Sequence, residues 1–459
     1  MNLSKVISVL FLSILFSTVL LATQPDTITN VWTKGLDKVK LQKARHLFLV
    51  NDFNAALKTY TEIAKNNQGN ALVNYRLGEC NYKLKNYELC VNYMEKAYRI
   101  DASVNKELHL IYARALHRLG ELDRALEQCV EFRKALDDKS NKMKEVLRSD
   151  KLLVEDIDKL EANIQFAKEM IANPLKVTIT NMGNAINSPG EDYRPAISAD
   201  GKTIIFTSRR SDSKGGLISL EDHKYFEDIY ISVYDDQTKE WSQAEGIQGR
   251  LNTDEHDACL GIAPDGNQIF IYKNIEGVTR SGDIYVSRLS SSGKWTSPKP
   301  LSKTINSSYF ESAASLTRDG KRLYFVSERK DGLGQGDIYM VDKISRHEWG
   351  EAVNLGAVIN TPEDENSVFV NPDEKYIIFS SNGRKSIGGY DIYISVKKDG
   401  KWAEPVNLGY PINTLDDNVH FTVREDGKKA YYSSYDKNGV GETDIFEVDL
   451  SEYPLIPKN

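Results

Sequence analysis

The chain has 459 residues and a formal net charge of −7 at neutral pH. This length exceeds what a single hydrophobic core organises, so we expect two or three domains. The acidic balance argues against nucleic acid as a partner, because phosphate binding needs a concentrated basic face and the sequence has no long basic run.

A secretory signal peptide is predicted over residues 1–22. Lys5 precedes an uncharged apolar and hydroxyl run that extends from position 6 to position 21, and a short apolar segment of this kind is typical of signal peptides. An uncleaved anchor helix stays open as the alternative, because Leu20 is larger than the residue usual three positions before a cleavage site. No cysteine stands near that site, so we expect a protein outside the cytoplasm with no direct lipid anchor.

Helical repeats are predicted over residues 40–172, after a linker at 23–39. Ala56, Cys90 and Ala125 lie 34 and 35 residues apart, each three positions after an apolar residue. Two-helix units of this length stack into a curved solenoid. Leu77, Gly78 and Tyr87 in the second unit fall on consensus positions of tetratricopeptide repeats, which this region resembles.

One longer helix is predicted to end the repeats before Asn173-Pro174, since proline cannot continue a helix. Its apolar residues step by four and three positions and form one stripe. They are Leu153, Ile157, Leu160, Ile164, Ala167 and Ile171. We interpret this helix as a cap on the solenoid, and a coiled-coil partner site stays open as the alternative.

The four cysteines lie within predicted regular elements and lack the spacing of a disulfide framework. They are Cys80, Cys90, Cys129 and Cys259. We predict that all four are buried and unpaired, and a Cys80–Cys90 disulfide is the one pairing that stays open.

A five-bladed β-propeller is predicted over residues 174–450. The phrase Asp-Ile-Tyr, or Asp-Ile-Phe in the last copy, recurs at steps of 53 to 55 residues. Such a period is typical of a circular array of small sheets, each of which buries its faces against its neighbours. The phrases begin at Asp228, Asp283, Asp337, Asp391 and Asp444. Tryptophans with the same step are Trp241, Trp295, Trp349 and Trp402.

The landmarks also predict how the ring closes. The fifth unit ends after Phe446 without a tryptophan or a fourth strand, while Asn181-Met182-Gly183 matches Asn354-Leu355-Gly356. We therefore predict that the strand near Lys176 completes the last blade and leaves no open sheet edge. The repeated aspartates are interpreted as acceptors of backbone hydrogen bonds that fix each loop, and the tryptophans as packing between blades.

A partner site is predicted on the face where a loop enters the inner strand of each blade. Acidic residues follow the Ile-Asn or Leu-Asn pair of every blade, and the loops between second and third strands add basic residues to the same face. The candidates are Glu191, Glu255, Asp257, Glu311, Glu363, Asp416, Arg209, Arg329 and Arg384. Local pairing that only holds the loops stays open, as does a divalent cation on clustered carboxylates.

The inner side of the helical repeats is a second candidate surface. The resemblance to tetratricopeptide repeats implies which positions face the groove. These are Tyr75, Glu79, Tyr82 and Lys83 in the second unit, and Arg114, His117 and Arg118 in the third. Aromatic rings beside fixed charges suit an extended peptide or a helix.

No catalytic residue, metal or cofactor is predicted. The sequence has no His-Glu-x-x-His, Gly-x-Ser-x-Gly or phosphate-binding glycine loop, and its seven histidines do not recur with the blades. The run at Gly332, Gly334 and Gly336 leads into a strand and is interpreted as a turn.

The domain order resembles that of Bacteroidetes envelope proteins with a TolB-type WD40-like (PD40) propeller, which usually continue into an OmpA-like domain. The matching phrases lie at 195–201, 204–209, 334–339, 388–395 and 402–409. Some members look like components of type IX secretion and gliding. The resemblance thus implies a periplasmic or outer-membrane-associated scaffold with envelope proteins or peptides as partners, such as outer-membrane or secretion components. Here only a tail at 451–459 follows, so peptidoglycan binding is not expected.

We therefore predict an α + β multidomain protein, in which a solenoid precedes a five-bladed propeller, acting as a non-enzymatic envelope scaffold. The alternative is a glycan-binding or glycoside-hydrolase-like propeller. A glycosidase needs two carboxylates about 5 to 10 Å apart that have no equivalents in the other blades.

Overall fold

The structure is a computed structural model, which describes residues 35–137, 148–219, 222–275, 282–345 and 348–453. The predicted signal peptide lies outside the described residues. Helices come first, and they pack in chain order as three pairs followed by a seventh helix. They are α1 (Gly35–Leu49), α2 (Phe53–Asn66), α3 (Ala71–Lys83), α4 (Tyr87–Ile100), α5 (Leu108–Arg118), α6 (Leu122–Asp137) and α7 (Arg148–Ala172). The predicted tetratricopeptide-like solenoid is confirmed.

Small residues set how closely the paired helices approach. Ala56, Cys90 and Ala125, the residues that carry the sequence period, are all fully buried. A side chain at Gly78 would collide with Met94 of the paired helix, since a Cβ there would lie 2.8 Å from its terminal carbon. Side-chain caps start two of the helices, as at Asn70, which accepts a 3.1 Å hydrogen bond from the Val73 amide.

Helix α7 closes the solenoid, as its apolar stripe predicts. Leu153, Ile157, Leu160 and Ile164 join one core cluster with Phe132 and residues of α5. The stripe is therefore buried within the chain and does not form a coiled-coil face.

The rest of the chain forms five four-stranded blades, in four of which the outer strand is short or split in two. After β1 (Thr178–Asn181), blade 1 has β2 (Asp192–Ile197), β3 (Thr203–Ser208), β4 (Asp228–Asp235), β5 (Glu240–Trp241) and β6 (Glu245–Gly246). Blade 2 has β7 (His256–Ile262), β8 (Gln268–Asn274), β9 (Asp283–Arg288) and β10 (Lys299–Pro300). Blade 3 has β11 (Glu311–Leu316), β12 (Arg322–Ser327), β13 (Asp337–Ser345), β14 (Glu348–Trp349) and β15 (Val353–Asn354).

Blade 4 has β16 (Glu365–Val370), β17 (Tyr376–Ser381), β18 (Asp391–Lys398), β19 (Lys401–Trp402) and β20 (Val406–Asn407). Blade 5 has β21 (Asn418–Val423), β22 (Lys429–Ser434) and β23 (Asp444–Asp449). Strand β1 completes blade 5 by antiparallel pairing with β23, where Ile179 lies opposite Val448. The predicted closure of the ring is confirmed.

Apolar clusters fill the spaces between neighbouring blades. The predicted role of the tryptophans is also confirmed, because each packs against the preceding blade; Trp402, for example, meets Tyr324 edge to face at 6.1 Å. The inner strands β2, β7, β11, β16 and β21 surround a central channel.

One polar network recurs between blades and explains the repeated Asp and Asn residues. Asp337 accepts hydrogen bonds from the Gly334 amide at 3.0 Å and from the Asn354 side chain at 2.7 Å. Asn360 pairs with both backbone groups of Ile338, at 2.8 and 3.0 Å. Asp391 and Asp444 hold their loops in the same way. These aspartates satisfy buried backbone groups, as predicted.

The four cysteines are buried and free. Burial raises the pKa of the Cys80 thiol and the Cys90 thiol to about 12. They are therefore packing residues. Among the described residues, no helix is both long and apolar enough to cross a membrane.

Candidate functional site

The loop face is the side of the propeller where loops enter the inner strands. Two of its predicted acids do not reach the surface. Glu311 is fully buried and accepts hydrogen bonds from the hydroxyls of Ser307 at 2.6 Å and Ser327 at 2.8 Å. Asp257 is equally buried, and it accepts from Thr253 and Lys273. Both carboxylates fix the loop before an inner strand, which corrects the predicted acidic rim at these positions.

The predicted basic residues are also held inside their blades. The Arg329 guanidinium stacks 4.7 Å from the Tyr339 ring centroid and donates to the Ile305 carbonyl at 2.7 Å. Arg384 donates to the Ile359 carbonyl at 3.1 Å. These contacts position loops, so neither guanidinium is free for a partner.

In blade 1 the same role belongs to Arg210, the neighbour of the predicted Arg209. Arg210 donates to the Ile186 carbonyl at 2.7 Å, whereas the predicted Arg209 pairs with Asp222 at 2.6 Å. Position relative to the strand-ending serine could have shown this, because Arg210 and Arg329 each follow Ser208 and Ser327 by two residues.

The remaining acids of blades 1 and 2 differ in exposure. Glu191 forms an ion pair with Lys224 at 2.8 Å and is partly buried. Glu255 is exposed to solvent. Among the described residues, no group of three or more His, Cys, Asp or Glu side chains is arranged to hold a metal ion.

In the helical groove, two of the predicted residues are core residues. Tyr75 is buried and donates a 2.8 Å hydrogen bond to Glu79, which also pairs with Arg76 at 2.6 Å. Burial raises the pKa of the Glu79 carboxyl. Arg114 pairs with Asp156 of α7 at 3.2 Å. Tyr82 is half-buried and Lys83 is exposed, so these two remain accessible.

The two predicted surfaces meet each other, which the sequence did not reveal. His117 contacts the Ile387 carbonyl at 2.8 Å through Nε2. Arg118 donates to the Leu415 carbonyl at 2.8 Å and pairs with Asp417 at 3.2 Å. Residues placed on separate partner sites thus form an interface between the solenoid and the propeller.

Helix α7 extends this interface. Lys159 pairs with Glu363 at 2.9 Å, and Asn163 exchanges hydrogen bonds with Ser386 at 2.9 and 3.2 Å. Gly389 permits the close approach, because a Cβ there would collide with the Arg118 guanidinium. We call this contact of α5 and α7 with the loops of blades 4 and 5 the docking interface.

Electrostatics favours the docked arrangement. Burial alone would raise the pKa of Asp417, but the charges of Arg118 and Lys85 outweigh it and hold that pKa below its usual value. Burial raises the pKa of neighbouring Asp416 to about 6. Asp417 is therefore the carboxylate that pairs with Arg118 and Lys85, and the predicted Asp416 lies beside it.

The burial of Ile387 shows that the docked helices cover this loop of blade 4. Its amide donates to Asp391, four residues on, as the Leu333 amide donates to Asp337 in blade 3. Ile387 is 0% exposed, whereas Leu333 at the same position is 48% exposed.

The uncovered part of the loop face carries exposed apolar side chains. They are Leu333 in blade 3 and Leu217 and Ile218 in the long loop of blade 1. We call these three residues, with the exposed Glu255, the open face.

The fold and the docking interface define a two-domain protein of tetratricopeptide-like repeats and a five-bladed propeller. No protein-family model matches the sequence, and no curated protein matches it. The type III secretion chaperone SycD of Yersinia enterocolitica, solved with a peptide of the translocator YopD, is 15% identical over 30% of this chain and 99% of its own, with a TM-score of 0.26.

Two propeller structures are also similar. The periplasmic gluconolactonase PpgL of Pseudomonas aeruginosa is 12% identical over 54% of this chain and 65% of its own, with a TM-score of 0.32. A luciferin-regenerating enzyme is 11% identical over 62% of this chain and 97% of its own, with a TM-score of 0.36. None of these likenesses carries an argument about function.

Proposed function

We propose that this protein is a non-enzymatic scaffold of the cell envelope, which holds protein partners on the open face and on the adjoining helical groove. The observation that carries the proposal is the asymmetry of the loop face. Docked helices cover the loops of blades 4 and 5, while Leu217, Ile218 and Leu333 stay exposed elsewhere on that face. We interpret these exposed apolar side chains as the contact surface of a protein partner.

The accessible groove residues complete this surface. Tyr82 and Lys83 lie near the end of α3, next to the turn where Lys85 pairs with Asp417 of the propeller at 3.5 Å. The Tyr82 ring packs 5.8 Å from the Tyr87 ring. An aromatic pair beside a fixed charge suits a peptide segment of a partner.

The distribution of acids favours a scaffold over a glycosidase. Glu425 is the one carboxylate among the described residues that line the central channel, and it pairs with Arg318 at 2.5 Å. Glycoside hydrolysis uses two carboxyl groups across the scissile bond. The repeated acids at the loop face instead hold backbone and hydroxyl groups.

The envelope location rests on the sequence. A signal peptide over residues 1–22 and the resemblance to Bacteroidetes envelope proteins support a periplasmic or outer-membrane-associated scaffold, serving type IX secretion, gliding or envelope maintenance. Cell fractionation with N-terminal sequencing of the purified protein tests the location. Cleavage near residue 22 and recovery with the envelope are expected, and a cytoplasmic protein that keeps residues 1–22 would refute it.

Site-specific photo-crosslinking in the native cells tests the scaffold. A benzophenone amino acid replaces Leu333 on the open face or Tyr82 in the groove, and Val406, equally exposed on the outer edge of blade 4, serves as the control position. We expect one partner to be linked from positions 333 and 82 but not from 406. Adducts of equal yield at all three positions, or none at 333 and 82, would contradict the proposal.

A further inference from the structure

The central channel holds a cavity of about 100 Å³ between the inner strands. Its walls include the apolar side chains of Ala196, Leu260, Ala314, Val368 and Phe421. A single water needs about 10–15 Å³ of such space, so a molecule of several non-hydrogen atoms fits. Arg194 and His420 line the end nearer the loop face, and Glu425 lies at the opposite end.

Arg194 and His420 break the repeat. The strand registers show which residues occupy the equivalent position in the other three blades. These residues are Cys259, Ala313 and Ser367. Residues that stabilise the blades recur around the ring, like the Asp and Asn residues above. A guanidinium and an imidazole at a position otherwise filled by small residues therefore have no role in the repeat.

The backbone at both positions is unusual. Arg194 and His420 have φ angles of 55° and 60°, in the left-handed region that bulky residues seldom occupy. An irregularity of strand pairing is present in the inner strand of all five blades, so the φ angle is what sets Arg194 and His420 apart. Residues held in this sparsely populated region are frequent at binding sites.

Arg194 and His420 are each incompletely paired, Arg194 in charge and His420 in hydrogen bonds. Arg194 donates to the Ser312 carbonyl, but among the described residues no carboxylate pairs with it. Burial lowers the pKa of the Arg194 guanidinium, as expected for a charge without a counter-ion. Neither ring nitrogen of His420 has a hydrogen-bond partner within the described part of the chain, although both are buried. A neutral imidazole there leaves one donor and one acceptor unused.

We infer that Arg194 and His420 form a binding site for the carboxylate of a small organic acid, whose apolar body lies along the channel. A guanidinium matches a carboxylate in charge and in its two-pronged geometry. The His420 ring supplies a further donor, and the apolar walls accommodate the carbon chain. This inference does not depend on the scaffold proposal.

Thermal unfolding of the full chain with sodium butyrate tests the site. We expect butyrate to raise the Tm by about 2–4 °C through preferential binding to the folded state. Sodium chloride at equal ionic strength and 1-butanol should not do so. The rise should vanish in Arg194→Gln and persist in Arg424→Gln, a matched loss of charge outside the channel, where Arg424 pairs with Asp426.

The unfolding temperature of Arg194→Gln without butyrate supplies a second readout. Because Arg194 is a buried charge without a carboxylate partner, Arg194→Gln should unfold at the same temperature as the wild type or above it. A rise with chloride as large as with butyrate, or an equal butyrate effect in Arg194→Gln, would overturn the inference. If Arg194→Gln does not fold, titration calorimetry instead compares the butyrate affinity of Arg194→Lys with that of the wild type. At least tenfold weaker butyrate binding supports the site, and unchanged affinity refutes it.

Discussion

Asn413 illustrates how one side chain joins two blades. Its amide pairs with the Ile392 backbone amide at 2.8 Å and carbonyl at 2.9 Å, and donates to Asn407 at 2.8 Å. The side chain is fully buried, so water cannot replace these bonds. The same contact recurs from Asn187, Asn252, Asn306 and Asn360.

We therefore expect Asn413→Ala to lower the free energy of unfolding by about 2–4 kcal/mol, because two buried backbone groups lose their partners. Chemical denaturation measures the change. Asn438→Ala, on an exposed loop of blade 5, should stay within about 0.5 kcal/mol of the wild type. Equal losses in the two variants would show that the network does not stabilise the propeller.

His117 makes the docking interface sensitive to pH. Burial and the charge of Arg118 lower the pKa of His117 to about 4, against the opposing effect of its bond to the Ile387 carbonyl. The imidazole is thus neutral when docked, and its Nε2–H donates to that carbonyl. Because the folded pKa is depressed, its contribution is present above pH about 6.5 and is lost as pH falls toward 4, by up to about 3 kcal/mol.

We expect docking to loosen between pH 6.5 and 4.5, as measured by fluorescence energy transfer between labels on α3 and blade 4. His117→Gln keeps an amide donor for the Ile387 carbonyl and should have a weaker pH response. Asp416 titrates in the opposite sense, since burial raises its pKa to about 6, so the difference between the two proteins isolates His117. Identical pH profiles would rule out His117 as the titrating group.

At the residue scale, the sequence predicted roles that follow the repeat. The once-per-blade aspartates indicated structural acceptors, and the tryptophans indicated packing between blades. The burial of Asp257 and Glu311 was not predicted, because these acids recur from blade to blade and were interpreted as part of an acidic rim at the surface. The signal is a hydroxyl residue four positions earlier: Thr253 donates a hydrogen bond to Asp257, and Ser307 donates one to Glu311.

At the scale of elements, strand β1 closes the ring. It covers the edge of β23 in register from Thr178 opposite Asp449 to Asn181 opposite Phe446. Leu175, Val177 and Ile179 also pack against the apolar cluster of blades 4 and 5. Without β1, both a strand edge and this cluster would be open to solvent.

We therefore compare two propeller fragments, residues 174–453 and residues 183–453. The longer fragment should unfold cooperatively, and the shorter one should aggregate or unfold at least 10 °C lower because blade 5 loses its outer strand. Circular dichroism and light scattering give the readout. Equal thermal stability of the two fragments would show that β1 is dispensable for closure.

Helix α7 shows what an apolar pattern reveals and what it omits. Its stripe of Leu153, Ile157, Leu160 and Ile164 predicted the cap on the solenoid. Lys159 and Asn163 lie four residues apart on a different face, and both contact the propeller. Polar docking contacts have no period or composition that separates them from a solvated helix face, so this second role was not predicted.

At the scale of the whole molecule, the repeats made both domains predictable but not their mutual position. The docking interface joins residues nearly 300 positions apart, such as Arg118 and Asp417. Such a contact occurs once and therefore produces no periodic pattern in the sequence. It nevertheless decides which predicted site residues remain accessible, because it covers His117, Arg118 and the Ile387 loop and leaves Tyr82 and Leu333 uncovered.

The most direct test asks whether partner binding needs the docked arrangement. The benzophenone at position 333 is combined with Arg118→Ala, which removes the bonds to Leu415 and Asp417, or with Arg124→Ala, which removes a pair with Glu95 inside the solenoid. Small-angle scattering first verifies that Arg118→Ala extends the molecule. We predict that Arg118→Ala reduces the partner adduct at least tenfold while Arg124→Ala leaves it unchanged; an undiminished adduct from the extended Arg118→Ala protein would contradict a scaffold built from both domains.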